Sequence, residues 1–259
     1  MEYLKNYYEN YDEDSRLALP HGQVEFLTTM HYIEKYLRPG ARIAEIGAGT
    51  GRYSHALAQR GYNVDAVELI QHNIDIFKEK TLPGEPVTVR QGNATDLSCF
   101  ADETYDITLL LGPMYHLYTE EDQRKALSEA LRITKKGGVV FAAYCCNDAT
   151  MFQFVFGKLQ ITEEKYRALI DPVTFKAHTP PEELFVLMRK EDIDALMQDF
   201  AAQRLHYVGT DINARYLREV LDGMDEETFA TYMRYNLYIC ERPDMVGLTN
   251  HILDVFRRL

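Results

Sequence analysis

An α/β fold with a mostly parallel sheet wound on both faces is predicted by three features of the sequence. Short β-like apolar runs alternate with longer amphipathic stretches through the middle of the chain. The first of these runs ends in a glycine-dense turn, Gly47 to Gly51. A later run, Tyr105–Leu111, is apolar almost throughout, as a central strand covered on both sides must be.

The elements follow in order. Phe26, Met30, Ile33 and Leu37 recur at helical spacing until Pro39-Gly40 stops the helix, which is expected to pack on the edge of the sheet. Arg42–Ile46 reads as the first strand, with a helix from about Arg52 to Arg60. Asn63–Val67 is the second, followed by a helix from about Gln71 to Lys80. Val87–Arg90 is a short third strand and Tyr105–Leu111 the fourth. A helix from about Glu121 to Ile133 has Thr119 placed to cap it and Leu127, Ala130 and Leu131 on one face. Gly137-Gly138 opens the fifth strand, Val139–Tyr144.

Beyond Tyr144 the alternation fails. Thr150–Lys158, Thr162–Ile170 and Lys190–Phe200 read as helices. Thr179-Pro-Pro-Glu182 has capping-box spacing, and Leu184–Met188 fits helix or strand equally. Leu205–Asp211 and His251–Phe256 alternate like closing strands, with a helical stretch from about Arg215 to Glu241 between them. The acid run Asp225-Glu226-Glu227 suits a helix start. The chain therefore divides into an N-terminal arm or flap (1–21), a core (22–147), a helical cap (148–204) and the closing strands (205–259).

Hydrophobic residues make up 46% of the 259 and charged ones 26%, a globular balance with ample material for a core. The net charge of −12 disfavours nucleic-acid phosphates and anionic membranes as partners. Cys99, Cys145, Cys146 and Cys240 form no CxxC pair and fit a reducing, cytoplasmic setting. Met1–Arg16 is polar and acidic, unlike a secretory signal, and the apolar runs are too short to span a bilayer.

The chemistry-bearing segment is Ala44-Glu45-Ile46-Gly47-Ala48-Gly49-Thr50-Gly51. Glycines here permit positive φ and let backbone pass close beneath a ligand. A dinucleotide fingerprint needs a glycine at the sixth position, where Arg52 stands, and Glu45 would repel a pyrophosphate. An ammonium-bearing ligand would instead gain from it. This segment resembles the first motif of the class I S-adenosylmethionine-dependent methyltransferases, and the resemblance extends over about residues 22–146. It implies a Rossmann-like, seven-stranded sheet with the last strand antiparallel, S-adenosylmethionine as cofactor and S-adenosylhomocysteine as product.

The resemblance also implies roles along the chain. Glu45, Gly47, Ala48, Gly49 and Gly51 would form the cofactor turn. Glu68, with Leu69 beside it, would hold the ribose hydroxyls. Asn93 would receive the adenine amino group and Ala94 a ring nitrogen, with Asp96 a second candidate for the Asn93 position. Leu111 and Gly112 would meet the amino-acid end, and Tyr115 and His116 would border the acceptor. His116 is the candidate base because its ordinary pKa is near neutrality, and Tyr115 and Tyr144 are the fallbacks. Tyr7, Tyr8, Tyr11 and Arg16 of the arm either fold over the ligand or pack on the sheet. Cys145 and Cys146 read as small core residues rather than as a disulfide or a soft-metal site. No His/Asp cluster of metal-ligand spacing stands in the sequence, so no metal is expected.

The expected activity is methyl transfer to an oxygen or nitrogen of a small acceptor by in-line displacement. Oligomeric state is not legible. The rivals are a non-catalytic module that binds the same cofactor, an NAD-dependent oxidoreductase and a nucleic-acid methyltransferase. Arg52 counts against the oxidoreductase. The charge, and the lack of an Asn/Asp-Pro-Pro-Tyr/Phe run after the fourth strand, count against the last.

Overall fold

The structure, a computed structural model, describes residues 2–10 and 19–259. Two helices, α1 (Glu2–Asn10) and α2 (Pro20–Glu34), precede the sheet. The core then runs β1 (Arg42–Ile46), α3 (Arg52–Ala58), β2 (Asn63–Glu68), α4 (Gln71–Lys80), β3 (Val87–Gln91), β4 (Tyr105–Leu110), α5 (Glu120–Ile133) and β5 (Thr134–Cys146). After an irregular cap come β6 (Leu187–Met188), α6 (Lys190–Met197), β7 (Ala202–Gly209), α7 (Arg218–Asp222), α8 (Glu226–Ile239) and β8 (His251–Arg258).

The strands lie in the order β3-β2-β1-β4-β5-β8-β7, with β6 paired to the end of β5. β8 is antiparallel to both neighbours, and the pairs from β3 to β5 are parallel. Apart from β6, these are the seven strands with the last one antiparallel that the resemblance implies, and β6 resolves part of the undecided stretch 184–188 as a two-residue strand.

Period-2 alternation sends each strand's residues to two separate cores. On one face Ala44, Ile46, Leu110, Val140 and Ala142 pack against Leu127, Ala130 and Leu131 of α5 and against Ile193 and Leu196 of α6. On the other, Ile43, Ile107, Leu109, Phe141 and Leu253 pack against Leu57 and Ala58 of α3 and Met30 and Ile33 of α2. Helix α2 thus covers a face of the sheet, not its edge as the sequence suggested. Its apolar stripe finds the continuous surface left between α3 and the closing strands.

Thr119 caps α5 as the sequence places it and Asp225, read as a helix-start acid, caps α8, whereas the capping-box spacing Thr179–Glu182 gives only a short turn over Pro181–Glu183 with no side-chain cap. Asp122 N–H donates to Thr119 Oγ1 at 3.1 Å, and Thr228 N–H donates to Asp225 Oδ1 at 2.8 Å. The long helix expected from Arg215 splits into α7 and α8 because Asp225 caps a new start just after Gly223. Of the expected helix Thr162–Ile170 only Glu164–Arg167 forms; it buries no side chain and so gains nothing from extension. The two ends of the cap are joined by Arg189, whose Nε and Nη2 each donate to Asp148 at 2.8 Å.

Candidate active site

Strand order reverses between β1 and β4, and the loops leaving their carboxyl ends diverge to open a crevice. A cavity of about 400 Å3 fills it. Its floor is the glycine turn. Gly47, Gly49 and Gly51 have φ of +73°, +55° and +88°. A Cβ on Gly47 would stand 2.6 Å from Pro113 Cδ and one on Gly51 2.5 Å from the Phe77 ring, so both positions exclude side chains by contact as well as by torsion.

Two buried carboxylates face this turn. Gly49 N–H donates to Glu68 Oε2 at 2.8 Å and Ile70 N–H to Oε1 at 2.9 Å, which staples the turn to the end of β2. Burial raises the Glu68 pKa, and these N–H groups offset only part of the rise. Glu45 accepts from the Ser54 hydroxyl. Burial pushes its pKa up to about 8, and no cation contributes among the described residues. A buried acid without a cation is a ready receptor for an ammonium group.

Ala48 and Leu69 also line the cavity, as do Asn93 and Ala94 beyond β3 and Leu111 and Gly112 beyond β4. Gly51 caps α3 just outside the lining. Asn93 Oδ1 accepts from Thr95 N–H at 3.2 Å, which steadies its turn. Asp96 does not reach the cavity. It lies on the solvent side of that turn and accepts from Ser98 N–H at 3.0 Å, so the alternative to Asn93 falls away.

The other half of the cavity is bordered by Tyr115 and His116, as expected. Tyr115 Oη donates to the Leu111 carbonyl at 3.0 Å, which fixes its ring and commits its proton. His116 Nδ1–H donates to the Leu184 carbonyl at 2.8 Å, so Nε2 is the accepting nitrogen, and Tyr8 Oη donates to it at 2.9 Å. Leu184 holds φ of +67°, and its carbonyl also accepts from Tyr118 Oη at 2.9 Å. Burial pushes the His116 pKa down to about 4, so the imidazole is neutral at pH 7 and a weak base.

Tyr144 is misplaced by the sequence reading. Alternation along β5 turns Ala143 into the cavity and Tyr144 to the opposite face, fully buried above the Arg204–Asp254 pair, where burial raises its pKa well above 10. Tyr11 and Arg16 lie outside the described residues. Cys145 and Cys146 are buried and unbridged, and burial raises the Cys146 thiol.

Helix α1 closes the cavity through Tyr3, Leu4 and Tyr8. Among the wall residues that the sequence did not single out are Glu25 on α2, Thr210 after β7 and His251 at the start of β8. His251 Nδ1 lies 3.2 Å from Glu25 Oε2 and 3.5 Å from Asp211 Oδ2, so the fold assembles an acidic-histidine cluster that sequence spacing did not disclose. Desolvation disfavours the imidazolium, but the Glu25 charge and the Asp211 and Cys145 contacts outweigh it and lift the His251 pKa to about 10. A usable signal did exist. The start of an antiparallel strand lies at the same edge as the ends of the parallel ones, which puts His251 and Asp211 beside the crevice.

With this geometry in place, known proteins can be compared. Residues 44–142 match the family model described as a methyltransferase domain. A demethylmenaquinone methyltransferase of Paenarthrobacter aurescens is 30% identical over 184 residues, covering 70% of this chain and 67% of the relative. The chain belongs to the class I S-adenosylmethionine-dependent methyltransferases. Other relatives align less far. A cypemycin N-terminal methyltransferase of a Streptomyces species is 31% identical over 44% of this chain and 45% of its own length. The chain spans about half the length, or less, of several curated relatives it matches. A solved structure from Thermotoga maritima, described as a possible histamine N-methyltransferase, superposes with a TM-score of 0.61 at 20% identity over 100% of this chain and 99% of that one, which places the methyltransferase in the same fold. Among its described residues no helix is long and apolar enough to cross a membrane.

Proposed function

We propose that the chain moves a methyl group from S-adenosylmethionine to an oxygen or nitrogen of a small molecule held between Tyr115, His116, Glu25 and His251. The observation that carries this reading is one cavity with two unlike halves: a glycine cradle with buried Glu45 and Glu68, opening into an enclosed compartment under helix α1. When bound, the cofactor supplies a methyl group on a positively charged sulfur, an electrophile already activated for displacement.

The chain's own work is then binding, orientation and exclusion of water. Glu45 receives the ammonium group, Glu68 the ribose hydroxyls, and Asn93 with Ala94 the adenine edge. Leu111 and Gly112 border the amino-acid end. Tyr115 and His116 position the acceptor. With its Nε2 engaged by Tyr8 Oη and burial pushing its pKa down to about 4, His116 acts as a neutral wall that orients the acceptor rather than as a group that holds the acceptor's proton at neutral pH. Helix α1 shuts the compartment, with Tyr8 on His116 as its inner contact.

Relatives named as a ubiquinone biosynthesis O-methyltransferase and a glycine/sarcosine N-methyltransferase make small O and N acceptors a sensible first panel. Calorimetry with S-adenosylmethionine, S-adenosylhomocysteine and NAD tests the cofactor. Binding of the two sulfur nucleosides without heat from NAD is expected, and the reverse result overturns the reading. Methyl transfer to phenols, amines and acids tests catalysis. Tight binding with no turnover on any acceptor would leave a cofactor-binding module.

A further inference from the structure

The cluster of Glu25, Asp211 and His251 comes from three distant parts of the chain: helix α2, the residue pair after β7, and the first residue of β8. One ligand atom from each lies within 4.8 Å of the others. His251 Nδ1 is sealed from solvent and makes no aligned hydrogen bond, although it points between two carboxylates. Its separations of 3.2 and 3.5 Å from Glu25 Oε2 and Asp211 Oδ2 are within hydrogen-bond reach, yet the ring N–H is aligned on neither oxygen. They match the spacing, about 3.3–3.6 Å, of ligands that sit ~2.0–2.2 Å from a tetrahedral ion.

Asp211 is also held as a ligand should be. Its Oδ1 accepts from Thr249 Oγ1 at 2.6 Å, Asn250 N–H at 2.8 Å and His251 N–H at 3.2 Å. This fixes the carboxylate and turns Oδ2 toward the imidazole, the outer support that metal ligands need. Glu25 and His251 line the cavity, whereas Asp211 stands behind them, so the side open to a further ligand faces the acceptor compartment. Arg215 Nε lies 3.8 Å from Asp211 Oδ2 and offsets one of the two acidic charges.

We propose that Glu25, Asp211 and His251 form a site for a divalent transition-metal ion, with its open position directed at the acceptor. One imidazole and two carboxylates suit Mn2+, Fe2+ or Zn2+. Naming the acceptor as the further ligand rests on the function proposed above; the metal site itself does not. In the metal-free protein the imidazole proton occupies the gap that the ion would take.

The test is a titration of the chelator-treated full chain with Mn2+, followed by the loss of the free-ion electron paramagnetic resonance signal, with Zn2+ as competitor. One ion per chain is expected. Glu25→Gln and His251→Gln should each weaken binding by at least about tenfold. S-adenosylhomocysteine calorimetry and thermal melting on the same samples report folding and the cofactor site independently. A wild-type chain that binds the nucleoside and leaves Mn2+ and Zn2+ free overturns the metal site, as does wild-type metal affinity in the folded Glu25→Gln variant. A chain that takes up the ion but ignores the nucleoside supports the metal site and removes the cofactor reading instead.

Discussion

The two halves of the cavity are built differently. The half proposed to hold the cofactor is made by short consecutive segments, Glu45 to Thr50, Glu68 to Ile70, Asn93 to Ala94 and Leu111 to Gly112, each at the carboxyl end of a parallel strand. The acceptor half takes Tyr8, Glu25, Tyr115, His116, Thr210 and His251 from regions that meet only after the sheet has closed. One half is set by local turn geometry and the other by long-range docking. Damage to the first should therefore abolish nucleoside binding, whereas damage to the second should spare it.

The sharpest way to break that contrast is Gly47→Ala. A Cβ there meets Pro113 at 2.6 Å with φ of +73°, so the turn must deform. Loss of S-adenosylhomocysteine binding is expected, with destabilisation of about 1–3 kcal/mol in chemical denaturation. Near-native binding would mean that the turn is looser than its contacts imply. Glu68→Ala comes next. It strips the acceptor from the Gly49 and Ile70 N–H groups and removes the proposed ribose partner, so calorimetry should record a roughly 10- to 100-fold weaker nucleoside.

Glu45 provides a test by pH. Its folded pKa of about 8 exceeds the ordinary glutamate value of 4.5, so the folded protein binds more protons than the unfolded one between these values. This contribution is fully present below about pH 4.5 and is lost as pH rises toward 8. Melting temperatures of the wild type should fall across that window relative to Glu45→Gln. At pH 7, binding of the cofactor's ammonium should release a proton, visible as a buffer-dependent heat. Parallel pH curves for the two proteins would show that Glu45 is ionised in the free protein. The smallest effect belongs to the acceptor half. Tyr8→Phe removes the donor to His116 Nε2 and should raise the acceptor KM about 2- to 10-fold while leaving nucleoside affinity unchanged.

Legibility in the sequence follows the same division. Thr119 was readable as a cap, and Asp225 as a helix-start acid, because these signals depend on residues a few positions apart. Glu68 and Asn93 were readable because a strand's end and its turn are neighbours in the chain. Asp96 and Tyr144 misled for one reason: side-chain direction on a turn or strand changes with a single residue of register, which fixes whether a group meets ligand, solvent or core. Helix α2 was legible as a helix, but its place on the sheet's face was not, since that depends on which apolar surface the other elements leave open.

By itself, then, the chain's pattern determined the parallel core, the glycine turn and the acids aimed at the cofactor, because hydrophobic period and turn chemistry act over a few residues. Only the tertiary structure decided what faces the acceptor. Glu25 and His251 lie more than two hundred positions apart in the chain, and only closure of β8 between β5 and β7 sets their charges side by side.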